Sequence, residues 1–201
     1  QATTHHSYDD LRIVVLCDKE EAGEWSFCRW LPHLFDDTRS QRFFANSPAQ
    51  QKKLLDSLEE ILSQRWMEIS EEQGKAHASV ARPFYLFICA SLMVSSHRAI
   101  RYLTANDPRL GVGAIFLFDR IEDLPKESFY IADLSAKPYQ VYEREFASHK
   151  QSFSLDYLAP DQYERYARLM APLRIDDGGG KAALPTSISF LQGYHAQRPQ
   201  M

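Results

Sequence analysis

The chain has 201 residues, 44% hydrophobic and 25% charged, enough to bury a core beneath a polar surface. Only 8 glycines and 10 prolines exclude a collagen-like or disordered chain, and a net charge of −4 without a basic block argues against non-specific binding to nucleic acid. The longest nearly apolar stretch, residues 84–94, is about half of the roughly 20 residues that a membrane-spanning helix needs, so the composition reads as a soluble globular domain.

Residues 1–9 read as a flexible lead-in. Leu11 to Cys17 is a near-continuous β-branched run, the pattern of a strand buried on both faces. Asp18-x-x-Glu21 has the spacing of a capping box and predicts a helix through Leu31, stopped by Pro32, although Gly23 interrupts it at a cost of about 1 kcal/mol relative to Ala. A short strand is expected over Gln41 to Ala45. Ser47-Pro48-Ala49-Gln50 then supplies an N-cap, a first-turn proline and a capping partner. In the helix that follows, Leu54, Leu55, Leu58, Ile61 and Leu62 share one apolar face.

Residues 71–82 are polar and read as a loop. Phe84 to Ala90 predicts a second buried strand, 93–105 a helix, and Val112 to Phe118 a further strongly buried strand closed by Asp119-Arg120. Tyr130 to Leu134 reads as a strand, and Tyr139 to Phe146 with Gln151 to Leu155 as a hairpin at a sheet edge. Pro160-Asp161 opens a last helix to Met170, with Tyr163, Tyr166, Ala167 and Met170 on one side. Asp176 to Ala183 is a Gly-rich flexible connector, followed by a tail whose Leu184, Ile188, Phe190, Leu191 and Tyr194 are too apolar for a free linker. Buried strands alternating with helices predict an α/β, doubly wound, mostly parallel sheet over 10–175, with an edge hairpin and a tail over 176–201.

Three cysteines, Cys17, Cys28 and Cys89, form no CxxC pair, and two of them sit in apolar runs, which fits a reducing compartment. The chain starts at Gln1 with no signal peptide, which suggests a piece cut from a longer protein.

Ligands of open parallel sheets bind at the carboxyl ends of the strands, which here carry Asp18, Asn46-Ser47, Ser91, Asp119-Arg120 and Ser135. A P-loop requires Gly-x-x-x-x-Gly-Lys-Ser/Thr, so that backbone N–H groups wrap phosphate and a hydroxyl holds Mg²⁺. Gly74-Lys75 and Gly180-Lys181 are each followed by alanine, and Asp18-Lys19-Glu20-Glu21 after the first strand would repel a triphosphate. Ile115 to Asp119 mimics a Mg²⁺-coordinating strand, but Arg120 stands where a catalytic Glu would; an aspartate there also serves simply to organise a turn. No GxGxxG follows a strand, no GxSxG elbow exists, and the seven histidines lack zinc spacing, so no cofactor or metal is expected. Trp25, Phe27, Trp30 and Leu31 either cover the sheet or, with Arg29, anchor a partner, since Trp and Arg dominate interface hot spots.

Glu24-Trp25-x-Phe27-x-Arg29-Trp30-Leu31-Pro32-His33, then Arg42-Phe43, then Gly111-Val112-x-Ala114 through Asp119-Arg120-x-Glu122-x-Leu124-Pro125 resemble the EssC/EccC proteins. These are membrane-anchored FtsK/SpoIIIE-type ATPases of type VII (ESX) secretion. The likeness continues in Leu184-Pro185-x-Ser187-x-Ser189-Phe190-Leu191, covers most of 10–191, and is lost after Tyr194. It implies a degenerate ATPase-like domain, a P-loop-NTPase-like core without its P-loop, lying between the transmembrane helices and the tandem ATPase domains. The expected role is a non-catalytic cytosolic module of a plasma-membrane-anchored machine. Its expected partners are the adjacent ATPase domains, other secretion components and neighbouring copies, through Trp25, Arg29, Trp30, Phe190 and Leu191. The rival is a nucleotide-binding or ATP-hydrolysing domain with a non-standard site at Asp18, Ser91, Asp119 and Arg120. DNA translocation, by analogy with FtsK, is disfavoured by the acidic balance.

Overall fold

Six residues without hydrophobic alternation form a strand only where both faces are covered. That is the state of β1, Leu11–Leu16, whose every residue is buried in a computed structural model that describes residues 2–71 and 80–173. It pairs in parallel with β3, Phe84–Cys89, from Leu11 opposite Phe84 to Leu16 opposite Cys89. On its other side lies β2, Phe44–Ala45, and β4, Val112–Phe116, extends the sheet beyond β3. The order is β2-β1-β3-β4, all parallel. The order reverses between β1 and β3, which is where a doubly wound sheet normally opens a ligand crevice.

Helices cover both faces. After a short N-terminal turn, α1 (Ala2–His5), whose Ala2 packs on the second face, the long helix α2 (Pro48–Glu71) and the single turn α3 (Ile100–Leu103) lie on the first face. There Leu54, Leu55, Leu58 and Leu62 meet Val14, Leu16, Tyr85 and Phe87 in the larger core. On the second face Leu11, Ile13 and Val15 meet Cys28, Leu31, Leu34 and Ala167, the last from α4 (Pro160–Met170). A separate antiparallel sheet is built from β5 (Tyr130–Asp133), β6 (Tyr139–Glu143) and β7 (Gln151–Phe153), in that order.

Several sequence expectations change. The helix expected from Asp18 to Leu31 is a series of turns and two 3-10 segments, Ser26–Trp30 and Pro32–Leu34. Gly23, a poor helix former, lies in the middle of that span. The helix expected over 93–105 is likewise reduced to a 3-10 segment, Leu92–Ser96, and α3. The strand expected over Gln41 to Ala45 keeps two residues, with Arg42 in an isolated bridge to Phe35. Val112 to Phe118 is an edge rather than a strongly buried strand, with Ile115 48% exposed. The hairpin belongs to the small sheet with β5, not to the edge of the main sheet. Ile61 is 39% exposed, on the flank of the α2 stripe. The connector 176–183 and the tail with Phe190 and Leu191 lie outside the described residues, as do residues 72–79 of the expected loop.

Charged groups inside the fold are neutralised locally. Arg12, on β1, donates to the Phe35 carbonyl at 2.6 Å and pairs with Asp37. Arg65 of α2 donates to the Leu110 and Pro83 carbonyls at 3.2 and 3.0 Å and lies over the Tyr85 ring, tying α2 to the starts of β3 and β4. Beside it Gly111 has φ 65°, and a Cβ there would overlap the Ala81 carbonyl, so glycine is required. Buried Glu59 receives Arg98 at 2.9 Å and Arg101 at 3.3 Å. The N-terminal residues pack rather than trail: Ala2 rests on the second core, and the His33 ring nitrogen Nε2 lies 2.9 Å from the His6 carbonyl, to which it donates.

Two outcomes follow from this packing. Leu58 is 2% exposed, so Leu58→Ala should cost about 2–5 kcal/mol, whereas part-buried Ile88 should lose only about 1–2 kcal/mol on truncation to Ala. Urea melts giving equal losses at the two positions would contradict the asymmetry of the two faces. His33 is 1% exposed, and burial pushes its pKa down. The unfolded chain takes up that proton below about pH 6.5 while the folded chain resists it, so this residue lowers stability as pH falls from about 6.5 and has no effect above. Thermal melts at pH 5 and 7 should show that drop, and His33→Gln should reduce it.

Candidate functional site

The carboxyl edge of the main sheet is the place to look for chemistry, because β1, β2, β3 and β4 all end there. Backbone hydrogen bonds continue the ladder past the strand ends: Cys17 N–H to the Ala45 carbonyl at 3.1 Å, Ala90 N–H to Leu16 at 2.7 Å, and Leu117 N–H to Cys89 at 2.9 Å. The chain after β1 then enters turns and the first 3-10 segment, so no α-helix opens toward the end of β1.

The helix nearest in sequence to open there is α2, and two side chains of its first turns bond within the chain. Pro48 has no N–H to offer. Asn46 N–H is accepted by the Gln50 side chain at 3.3 Å, as the Ser47-Pro48-Ala49-Gln50 pattern predicts. Gln51 is fully buried and its Nε2 donates to the Cys17 carbonyl at 2.8 Å, stitching the start of α2 to the end of β1. Gln51 was not singled out in the sequence, yet a signal exists: it shares the apolar stripe of Leu54, Leu55 and Leu58 at i+3, i+4 and i+7. A polar residue on such a stripe has a buried partner to serve.

Asp18, Ser91, Asp119 and Arg120 follow β1, β3 and β4 at this same edge. Among the described residues no hydrogen bond or ion pair joins them to one another. Ser91 is buried and its Oγ accepts from Met93 N–H at 3.5 Å, capping the 3-10 segment. Asp18 and Asp119 are exposed, and Arg120 pairs with Glu122 at 3.4 Å. Burial pushes the thiols up, Cys17 to about 11 and Cys28 and Cys89 to about 12, so all three are protonated at neutral pH and unsuited to nucleophilic work. Among the described residues no group of three or more His, Cys, Asp or Glu side chains could hold a metal ion.

The aromatic segment after β1 gathers differently. Trp25, Phe27 and Trp30 are part-buried against the second core, with Trp25 stacked on Phe27 and Phe27 4.7 Å from the Tyr163 ring of α4. Arg29 and Arg168 both lie over the Trp30 ring, at 5.2 and 4.6 Å. Glu164 receives Arg168 at 2.9 Å and Arg29 at 3.5 Å, and the Arg168 bond first of all holds its carboxyl below the usual range. These contacts join the 3-10 segment to α4, and the Arg29 side chain remains 51% exposed. An open depression on α4 is lined by Asp161, Glu164, Arg165, Arg168 and Leu169, all from that one helix. Among the described residues no helix is long and apolar enough to cross a membrane.

No protein-family model matches the chain. Over 98% of its length it is 24% identical to the ESX secretion system protein YukB of Bacillus subtilis (strain 168) and 23% identical to the ESX secretion system protein EccC of Geobacillus thermodenitrificans (strain NG80-2). Over 99% of its length it is 28% identical to the ESX secretion system protein EccC of Thermomonospora curvata. It spans only 13% to 15% of the length of these relatives. Similarity along nearly the whole chain is thus shared with three ESX secretion system proteins, in line with the resemblance read from the sequence.

Proposed function

We propose that this chain is a non-catalytic module of a type VII secretion ATPase. In that reading residues 10–175 form a degenerate ATPase-like domain on the cytosolic side of a membrane-anchored protein, and 176–201 lead toward the next domain. It couples the membrane part to the motor domains by contact, with neighbouring copies and other secretion components as further partners. It needs no cofactor and engages no nucleic acid.

The observation that carries this reading is the carboxyl edge itself. Phosphate is held at such an edge by free backbone N–H groups at a helix N-terminus that follows a strand. Here β1 leads into turns and a 3-10 segment rather than a helix, and at the start of α2 the side chains of Gln50 and Gln51 bond the Asn46 N–H and the Cys17 carbonyl. A domain without such a cradle influences a motor through its surfaces. The surfaces assigned to that role are the aromatic segment, with Trp25, Arg29 and Trp30, and the tail, with Phe190 and Leu191.

Calorimetric titration of the chain with Mg·ATP should show no micromolar binding. Micromolar affinity abolished by Asp119→Ala would instead establish a nucleotide site at Asp18, Ser91, Asp119 and Arg120. In the full-length protein, Phe190→Asp should reduce secretion while leaving the ATPase domains active, because burying an unpaired charge is costly. Normal secretion at normal protein abundance would remove the tail from the proposed coupling.

A further inference from the structure

We propose that the second face of the main sheet, over β3 and β4, is the docking surface for residues 184–191 of this same chain. The two faces are covered unequally. Toward the first, Tyr85, Phe87 and Cys89 are at most 6% exposed. Toward the second, their alternating neighbours Leu86 and Ile88 are only part-buried. On β4 the imbalance is larger. Val112, Ala114 and Phe116 pack on the first core, while Ile115 is 48% exposed and Leu117, which continues the ladder through Cys89, is 45% exposed. Leu86, Ile88, Ile115 and Leu117 therefore form an apolar strip beside the part of this face that the 3-10 segments and α4 cover.

The occupant is indicated by where the chain goes. Ala167 and Met170 of α4 pack on this second face, and the described chain stops three residues after Met170, so it leaves from the side that needs covering. Twenty-eight residues follow Leu173. The ten from Arg174 to Ala183 reach about 33–36 Å when extended. Crossing from β1 to β4 takes about 10 Å, two strand spacings, so the connector suffices. Residues 184–191 then present Leu184, Ile188, Phe190 and Leu191 without a single charged side chain, matching a strip that is itself uncharged. Tethering also favours this segment over a second copy, because a short linker supplies an effective concentration on the order of millimolar. The contact is intrachain and stands whether or not the secretion role holds.

The test uses the full 201-residue chain with Ile115→Cys, at an exposed position, while the three native thiols are buried. Maleimide should label the introduced thiol slowly, and at least tenfold faster when Phe190→Asp is added. Equal rates would overturn the proposal. Because Phe190→Asp could disturb folding, a second variant combines Ile115→Cys with Phe190→Cys and is oxidised. An intrachain disulfide supports docking of the tail; an interchain disulfide, which would mean that a second copy covers the strip, or no disulfide at all overturns it.

Discussion

Burial of β1 on both faces and both edges is the constraint from which the remaining structure follows. Its six residues pair with β3 along their whole length and with β2 at their end, and they alternate between two separate cores. Each core then requires its own cover, which is why α2 and α3 lie on one side and the 3-10 segments with α4 on the other. Central position also makes polar intrusions expensive. Arg12 is accommodated because its guanidinium reaches the Phe35 carbonyl and Asp37 at the rim, and the Cys17 carbonyl at the strand's end accepts from Gln51.

How far the sequence could be read depended on whether a local pattern was also a global one. The runs at β1 and β3 and the stripe on α2 were legible, because burial on both faces or along one helical face leaves a periodic signature in the residues themselves. The Asp18-x-x-Glu21 spacing was locally valid but tertiary structure overrode it: the aromatic residues after Gly23 are needed on a short span of the second core, and 3-10 turns deliver them there. The apolar run at β4 looked buried because hydrophobicity reports what a residue prefers, not whether a neighbour arrives. Placement of the hairpin in its own sheet was invisible, since strand propensity does not name a partner strand.

The candidate site was legible as an absence of motifs and illegible as geometry. The glycine pattern and the acidic stretch after β1 could be read directly, but the bonds from the Asn46 N–H to Gln50 and from Gln51 to the Cys17 carbonyl depend on how the strands and α2 pack in three dimensions. The cluster at Trp30 shows the opposite case. Tryptophan and arginine in one segment suggested an anchor, and much of their surface is satisfied within the chain by Arg168, Glu164 and Tyr163 of α4, an element about 135 positions away. What remains outward is largely the Arg29 side chain, half exposed although it is paired.

The unequal cover of the sheet has a mechanical consequence. One face of the sheet is closed by a 24-residue helix and the other only partly closed, so the two sides are unequally packed. The larger core includes the Arg65 clamp on the carbonyls of Pro83 and Leu110, which fixes α2 against the entry ends of β3 and β4. Leu86, Ile88, Ile115 and Leu117 lie on the face away from that core, and Ile115 and Leu117 are about half exposed. A strip that can be covered without contact to the larger core would suit the contact role proposed above, because its cover could change while the packing of α2 on the sheet is kept.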